Sequence, residues 1–372
     1  MDSDWANLPM HLLDSVSDRL VSLSDYLRFS MVCKSWYCVA KDNQKAHHQF
    51  PMLLISTDKE GTWNVYSVTD NKVLDLQIRL PNKRFCGSSK GWLVTVEENF
   101  AVTLLNPFSR VIGIEEKENS IIHLPPLEGP KQGREEWVKK CDYYVYKAMI
   151  SADPVVNAED CVVVVIYEEQ CRLSFIRLNK DKAWTYVHRP RPVQDVLFFG
   201  NRYHAVNYWS NLYSFDITTQ SNSDVNCFVS SIPLQNVYTK RYLVDSNEKE
   251  LMMVQRHMAY EGSKLVTKKF KTFKFKLDDI FDWIEQETLG DVALFVGDNS
   301  TVSVVASSFS GCQPNCIYFN DDNNCMKGCF EGDFGVYNVG TKSISQLYTV
   351  DAMSLLEKTK LHPIWIVPTL QL

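Results

Sequence analysis

From residue 51 onward the chain is a succession of short apolar or alternating runs, and this limits its fold more than any other feature. The runs lie at 52–56, 63–68, 91–96, 101–105, 143–150, 162–167, 173–178 and 193–199, and again at 203–208, 212–217, 242–246, 251–255, 270–277, 302–306, 316–319 and 336–339. Turn-forming residues separate them, among them Asp58, Gly61, Asn106-Pro107, Asn179, Asn201, Asp298-Asn299 and Gly332-Asp333. Strands of this length at this spacing specify an all-β sandwich, barrel or propeller. Helical patterning is confined to 278–288, where Ile280 and Ile284 flank Phe281 and Trp283, and to 352–357.

Size decides between the architectures. Some 320 residues of short strands are too many for one sandwich of about 100 residues, whereas propeller blades of roughly 40–50 residues accommodate them. An internal echo supports a propeller: Trp92-Leu93-Val94 leads to Leu104-Leu105-Asn106, Tyr203–Val206 to Tyr213–Ile217, and Ile317-Tyr318-Phe319 to Val336–Val339. Grouping strands in fours predicts blades near 84–124, 141–187, 193–232, 238–287 and 291–348. The strands after Pro51 would pair with Ile364-Trp365-Ile366-Val367 as a sixth blade, which closes the ring and removes both open edges. Six blades are expected, with five or seven as alternatives.

The first forty or so residues follow another period. Leu12, Val16 and Leu20 recur at helical spacing, and Leu13 widens the stripe. Asn7 can cap this helix with Pro9 in its first turn, Ser24 can cap a second with Asp25 at its positive end, and Trp36 and Ala40 share a face of a third. So short a segment does not hold a core alone; below roughly 40 residues, chains need staples or partners. Its apolar side must be covered by its own domain or by another protein. Residues 41–49, with His47 and His48, read as a linker or a trailing helix.

The string Leu8-Pro9, Leu12-Leu13, Val16, Arg19-Leu20, Asp25, Arg28-Phe29 and Val32-Cys33-Lys34-Ser35-Trp36 resembles the F-box, with Val16 where isoleucine is usual and Lys34 where arginine is commoner. The resemblance implies a three-helix module over residues 1–48 that docks a Skp-type adaptor. Its contacts would be Leu8, Pro9, Leu12, Leu13, Val16, Leu20, Leu23, Val32, Cys33 and Trp36. Further on, Lys90–Val94 with Leu105–Ser109, His204–Asn207, Arg241–Val244 with Leu251–Val254, Leu289–Asn299 and Gly311–Phe319 resemble the C-terminal domain of plant F-box proteins. That domain was once labelled domain of unknown function 295 and is described as a β-propeller. The expected fold is therefore mainly β with a small all-α N-terminal module, a three-helix F-box followed by a β-propeller over 51–372.

Together the resemblances imply the substrate-recognition subunit of an SCF-type E3 ubiquitin ligase. It would reach cullin and a RING protein through the adaptor and hold an unidentified protein target on the propeller. The alternative is an adaptor-binding scaffold or competitor without a degraded substrate; a propeller enzyme or small-ligand sensor stands third.

Composition narrows the partners. A net charge of -6 argues against general nucleic-acid binding. The longest apolar run, 161–167, is far short of the about 20 residues that cross a bilayer, so no membrane contact is expected. Asp2 and Asp4 open the chain without a basic-then-apolar leader, so the 11 cysteines should be reduced thiols in cytoplasm or nucleus.

No enzyme is expected. The sequence lacks H-E-x-x-H, G-x-S-x-G and G-x-x-x-x-G-K. No metal or cofactor site is read either. The pairs Cys312/Cys316 and Cys325/Cys329 lack the usual zinc spacing, and 320–324, though oxygen-rich, lacks the glycine and glutamate of a calcium loop and reads as solvated. The lysine–aromatic alternation over 268–276 reads as an exposed strand face protected like an edge rather than a nucleic-acid platform.

Overall fold

The computed structural model describes residues 5–20, 23–30, 32–47, 50–111, 119–131, 133–187, 192–217, 226–233, 238–246, 250–276, 281–322, 332–346, 349–359 and 361–369. Helices α1 (Met10–Ser17), α2 (Leu23–Ser30) and α3 (Lys34–His47) come first. Pro9, not Asn7, occupies the cap position of α1, where its missing N–H costs nothing, and Ser24, expected as the cap of the second helix, lies inside α2. The polar stretch after Ala40 continues α3 as a trailing helix rather than a linker.

Six sheets follow among the described residues, each one blade of a ring. Blade 1 is built on β1 (Met52–Ser56), β2 (Thr62–Ser67) and β3 (Lys72–Arg79). Blade 2 holds β4 (Gly87–Ser89), β5 (Trp92–Val96), β6 (Ala101–Leu105) and β7 (Ile121–Pro126), followed by the short helix α4 (Arg134–Lys139). Blade 3 holds β8 (Val145–Ile150), β9 (Val162–Tyr167), β10 (Arg172–Arg177) and β11 (Thr185–Val187). Blade 4 holds β12 (Val193–Phe199), β13 (Arg202–Asn207), β14 (Leu212–Phe215) and β15 (Asn226–Phe228). Blade 5 holds β16 (Thr239–Asp245), β17 (Leu251–Glu261), β18 (Lys264–Lys276) and β19 (Asp282–Gln286). Blade 6 holds β20 (Val292–Val296), β21 (Val302–Val305), β22 (Cys316–Phe319), β23 (Gly335–Asn338) and β24 (Ser343–Ser345).

Helix α5 (Val350–Lys358) matches the helix expected at 352–357; Thr349 caps it, its hydroxyl accepting from Ala352 N at 3.3 Å. The chain then returns as β25 (Ile364–Ile366), antiparallel to β1 with Leu53 opposite Trp365. The ring closes as the sequence predicts, and blade 1 reads β25-β1-β2-β3 from the axis outward.

The strand patterns fit this ring. β9, Val-Val-Val-Val-Ile-Tyr, is buried at every position because a mid-blade strand has a neighbouring blade on each face. β3 instead alternates, burying Leu74, Leu76 and Ile78 while exposing Asp75 and Gln77. Each pair of adjacent blades encloses its own apolar cluster; Trp365, Phe295 and Tyr318 fill the one where the last blade meets the first. The N-terminal helices join the cluster between blades 1 and 2, where Leu13, Tyr26 and Phe29 share a core with Leu74, Leu76 and Ile78.

Three expectations about the ring need correction. Residues 282–286, expected in a helix over 278–288, form strand β19, with Trp283 opposite Phe275 on β18. The Trp283 ring packs 4.9 Å from that of Phe275, and its indole donates to Ser210 O at 2.8 Å. Pairing with a formed sheet overrides a local spacing only a few residues long. Secondly, β18 is not an edge: it pairs with β17 along most of its length and with β19 over its last five positions, and Lys268, Lys271 and Lys274 are matched by Glu261, Glu285 and Glu250. Thirdly, Asn320, Asp321 and Asp322 are buried rather than solvated.

Candidate functional site

Two regions present chemistry: the outer face of the N-terminal helices and the ring axis. In the helices, Leu13 is 0% exposed. Phe29 packs against Trp36 with ring centres 4.7 Å apart, the Trp36 indole donates to Trp5 O at 2.9 Å, and the Tyr26 hydroxyl donates to Ala40 O. Arg28 bonds Asp75 O on β3 at 3.3 Å, which helps fix the helices against blade 1. This packing satisfies one side of α1 and leaves the other open. Leu12 (44% exposed) and Val16 (38%) lie one helical turn apart on that open side. Met10 (56%), Trp5 (60%) and, after α2, Val32 (51%) are also open to solvent. Uncovered large side chains on a module this small are the kind of surface that marks interaction sites.

At the axis, every blade sends a polar or charged side chain inward. Arg84, ahead of β4, pairs with Asp298 at 2.8 Å and donates to Val145 O and Tyr146 O at 3.0 Å, linking blades 2, 3 and 6. Lys147 of blade 3 pairs with Asp195 of blade 4 at 2.8 Å, and Asp195 in turn accepts from Leu243 N of blade 5 at 2.7 Å. Asp322 of blade 6 receives Lys240 at 2.7 Å and Arg256 at 2.8 Å, while Arg256 also reaches Asp333 at 2.8 Å. His362, leading into β25, lies 3.0 Å from Asp321 O. Burial works against the Asp322 charge, yet Lys240 and Arg256 outweigh it and hold the carboxyl down at about 2. Burial raises the Asp195 carboxyl against the pull of Lys147. Such desolvated pairs stand only where the partners meet closely, and here they cross from one blade to the next. Nothing in the set pairs a nucleophile with a base.

At the opposite end of the axis the innermost strands open into a cavity of about 620 Å³, bordered by Ser89, Ile150, Phe198, Asp245, Ser303 and Trp365, one residue from each blade.

The comparisons with known proteins agree with this geometry. A family model for the KIB1-4 beta-propeller matches residues 65–338, and one for the F-box domain matches residues 5–48. The chain belongs to the KIB1-4 β-propeller family of F-box proteins. It is 27% identical to F-box protein SKIP23 of Arabidopsis thaliana, over 90% of this chain and 89% of the relative. It is 28% identical to F-box protein At2g17036 of the same plant, over 84% and 81%, and 23% identical to putative F-box protein At5g55150, over 99% and 98%. It is thus a plant F-box protein with a propeller, and an F-box implies binding to a Skp-type adaptor. The propeller match stops short of β1 and β25, the two strands that close the ring.

Of the residues singled out from the sequence, the F-box fold brings Leu8, Pro9, Leu12, Val16 and Leu20 together on or around α1 and places Val32, Cys33 and Trp36 at the start of α3. Pro9, Leu12, Val16 and Val32 are exposed, whereas Leu8, Leu20, Cys33 and Trp36 are half-buried. Leu13 departs from expectation: it faces the chain's own core and cannot touch an adaptor without unpacking it. The side chain of Leu23 lies outside the described residues. Met10 and Trp5, not singled out from the sequence, are exposed on the same module.

Cys316 opens β22 and Cys312 precedes it in a loop. Burial pushes the Cys312 thiol up to about 12 and raises that of Cys316, keeping both protonated. Cys325 and Cys329 lie outside the described residues. Among those residues nine cysteines are free thiols, and no helix is long and apolar enough to cross a membrane.

Proposed function

We propose that this F-box protein is the substrate-recognition subunit of an SCF-type E3 ubiquitin ligase. The open side of α1, with Met10 and Val32 nearby, docks the Skp-type adaptor, and through it cullin and a RING protein. Leu8, Pro9, Leu12, Val16, Leu20, Val32, Cys33 and Trp36 form or border that contact, while Leu13 and the α2 residues hold its shape. The propeller holds a protein target so that its lysines meet activated ubiquitin, and catalysis is proximity supplied by the assembly. The chain carries out no bond chemistry of its own and works in cytoplasm or nucleus.

The observation that carries this reading is the pairing of Leu13 turned in with Leu12 and Val16 turned out. The module spends one face on its own propeller and keeps the other free. Because its core is shared with blades 1 and 2, function is best separated by substitutions in the intact chain. Overproduced parent protein should lower the level of at least one cellular protein. The Leu12→Ala/Val16→Ala form, still able to hold that target but with a weakened grip on the adaptor, should raise it. Proteomics in which no protein moves oppositely with the two forms would instead indicate a scaffold or competitor without a degraded substrate.

A further inference from the structure

Three arginines are buried among the described residues, and one of them differs from the other two. Arg84 and Arg256 each meet a carboxylate at 2.8 Å. Arg241, on β16 and 3% exposed, has only neutral acceptors: Nε donates to Ser210 Oγ at 2.7 Å, and Nη1 to Gln194 Oε1 at 3.2 Å and Thr239 O at 3.1 Å. Its other amino group, Nη2, bonds nothing among the described residues and is not one of the sealed unpartnered atoms, so it opens to solvent. The Tyr208 ring lies 5.4 Å from the guanidinium. Burial without a counter-charge brings this arginine down to about 10, a strain on the charged form that a carboxylate at Nη2 would relieve.

Arg241 lies near the start of β16, at the seam of blades 4 and 5, whereas the cavity borders Asp245 at the other end of that strand. Uncovered aromatics flank it from both blades. Trp209 (43% exposed) follows Tyr208 in the β13–β14 turn, with the two rings 5.8 Å apart. Tyr238 (39%) leads into β16, and its ring packs 5.1 Å from that of Tyr260 (51%), near the end of β17. The charge left over in blade 5 is positive. Glu261 and Glu285 already hold Lys268 and Lys271, while Lys269 is exposed with no carboxylate partner among the described residues.

We infer that this seam grips an acidic side chain in a peptide segment of the protein target, with Arg241 Nη2 donating to one carboxylate oxygen and Trp209, Tyr238 and Tyr260 packing on the residues beside it. The inference rests on the propeller being the domain that holds the target. Tryptophan, tyrosine and arginine are the residues that carry most protein contacts. Nε and Nη1 are already engaged, so the contact is end-on, and its selectivity comes from charge. An amide oxygen at Nη2 would leave the buried cation uncompensated, and a phosphate dianion would find only one desolvated cation to meet.

The test offers immobilised full chain, without adaptor, pools of random dodecapeptides whose central residue is fixed as Glu, Asp, Gln, Asn or phosphoserine. The carboxylate pools should be retained over the amide pools. The best Glu or Asp peptide should bind about tenfold or more tightly than its amide counterpart, with a gap that narrows as salt rises. Arg241→Gln should erase that gap. Trp209→Ala, at an exposed site that leaves the fold intact, should weaken both peptides alike and keep their ratio. The inference is overturned if amide pools are retained equally, if phosphoserine is preferred to Glu, if Arg241→Gln keeps the preference, or if Trp209→Ala binds as the parent does. Because adaptor is absent from the assay, a chain that lowers a cellular protein but shows no carboxylate preference overturns the seam and leaves the receptor reading standing.

Discussion

The sharpest consequence of the geometry is that neighbouring leucines in α1 should behave in opposite ways. Fully burying a leucine or valine is worth about 1.5–3 kcal/mol. With 44% and 38% of their surfaces still open, Leu12 and Val16 each have about 1 kcal/mol left to gain from an adaptor, together roughly thirtyfold in affinity. Replacing both with alanine should therefore weaken the adaptor complex about thirtyfold, and more if they sit at the desolvated centre of the interface. Thermal stability should be unchanged or slightly higher, since both sites are exposed and alanine is the better helix former. Leu13→Ala is the counterpart. At 0% exposure in a core shared with Tyr26, Phe29 and the first blade, it should cost about 2–5 kcal/mol of stability. Adaptor binding would then fall only as a consequence of the loosened helices. Calorimetric titration with a purified Skp-type adaptor, paired with thermal melts of each variant, reads both effects. Adaptor affinity of the Leu12/Val16 variant within twofold of the parent would refute the assignment of this face.

Three further outcomes follow from the ring. A chain ending at residue 360 lacks β25 and exposes the β1 edge together with the sites of Ile364, Trp365 and Ile366; it should aggregate or be cleaved by protease within blade 1, and a soluble form as heat-stable as the parent would mean that closure does not depend on this strand. Arg256→Met leaves the buried Asp322 with Lys240 as its remaining cation and removes the salt bridge of the half-buried Asp333; breaking these pairs should cost about 3 kcal/mol in urea unfolding, whereas an unchanged midpoint would mean that the axis pairs are dispensable. His257, 3.3 Å from Thr239 and near Lys269, Lys271 and Arg241, is held down at about 4 chiefly by burial. Between its unfolded value of about 6.5 and that level the unfolded chain binds a proton that the native one refuses; stability should fall as pH drops from 7 to 5, and His257→Gln should flatten that slope, by about 2 kcal/mol at pH 5.

The parts of this fold visible in the sequence are those whose signal is local and long enough to carry a period. β1, β9, β13 and β17 are runs of five or more residues that fill a blade, and Pro363 and Pro368 frame the closing strand. The repeated hairpins at 92–105 and 203–217 are the second and third strands of blades 2 and 4, whereas the echo at 317–339 is β22 and β23, the third and fourth strands of blade 6, counted from the axis. That offset has a cause: β21 follows β20 in the chain but sits inside it, leaving β20 parallel to β22 with Ala293 opposite Cys316. Alternation of side chains is the same for parallel and antiparallel neighbours, so this rearrangement leaves no trace in the pattern. β4, β11, β15 and β24 are three residues each, too short for any period.

The axis was hidden for a different reason. Asn320-Asp321-Asp322 reads as a solvated turn because its residues are almost never buried unpaired, and their partners lie 41 to 82 positions away in Pro363, His362, Arg256, Tyr242 and Lys240. Each of those residues alone also reads as surface. Only ring closure brings them within 3 Å of one another, so their burial is a property of the topology and not of any segment. The same holds for the axis mouth, where hydroxyls scattered between Ser88 and Thr369 become one wall only after six blades meet. The open side of α1, by contrast, is built from a single helix, so the period that turns Leu12 and Val16 to one side was legible in the sequence.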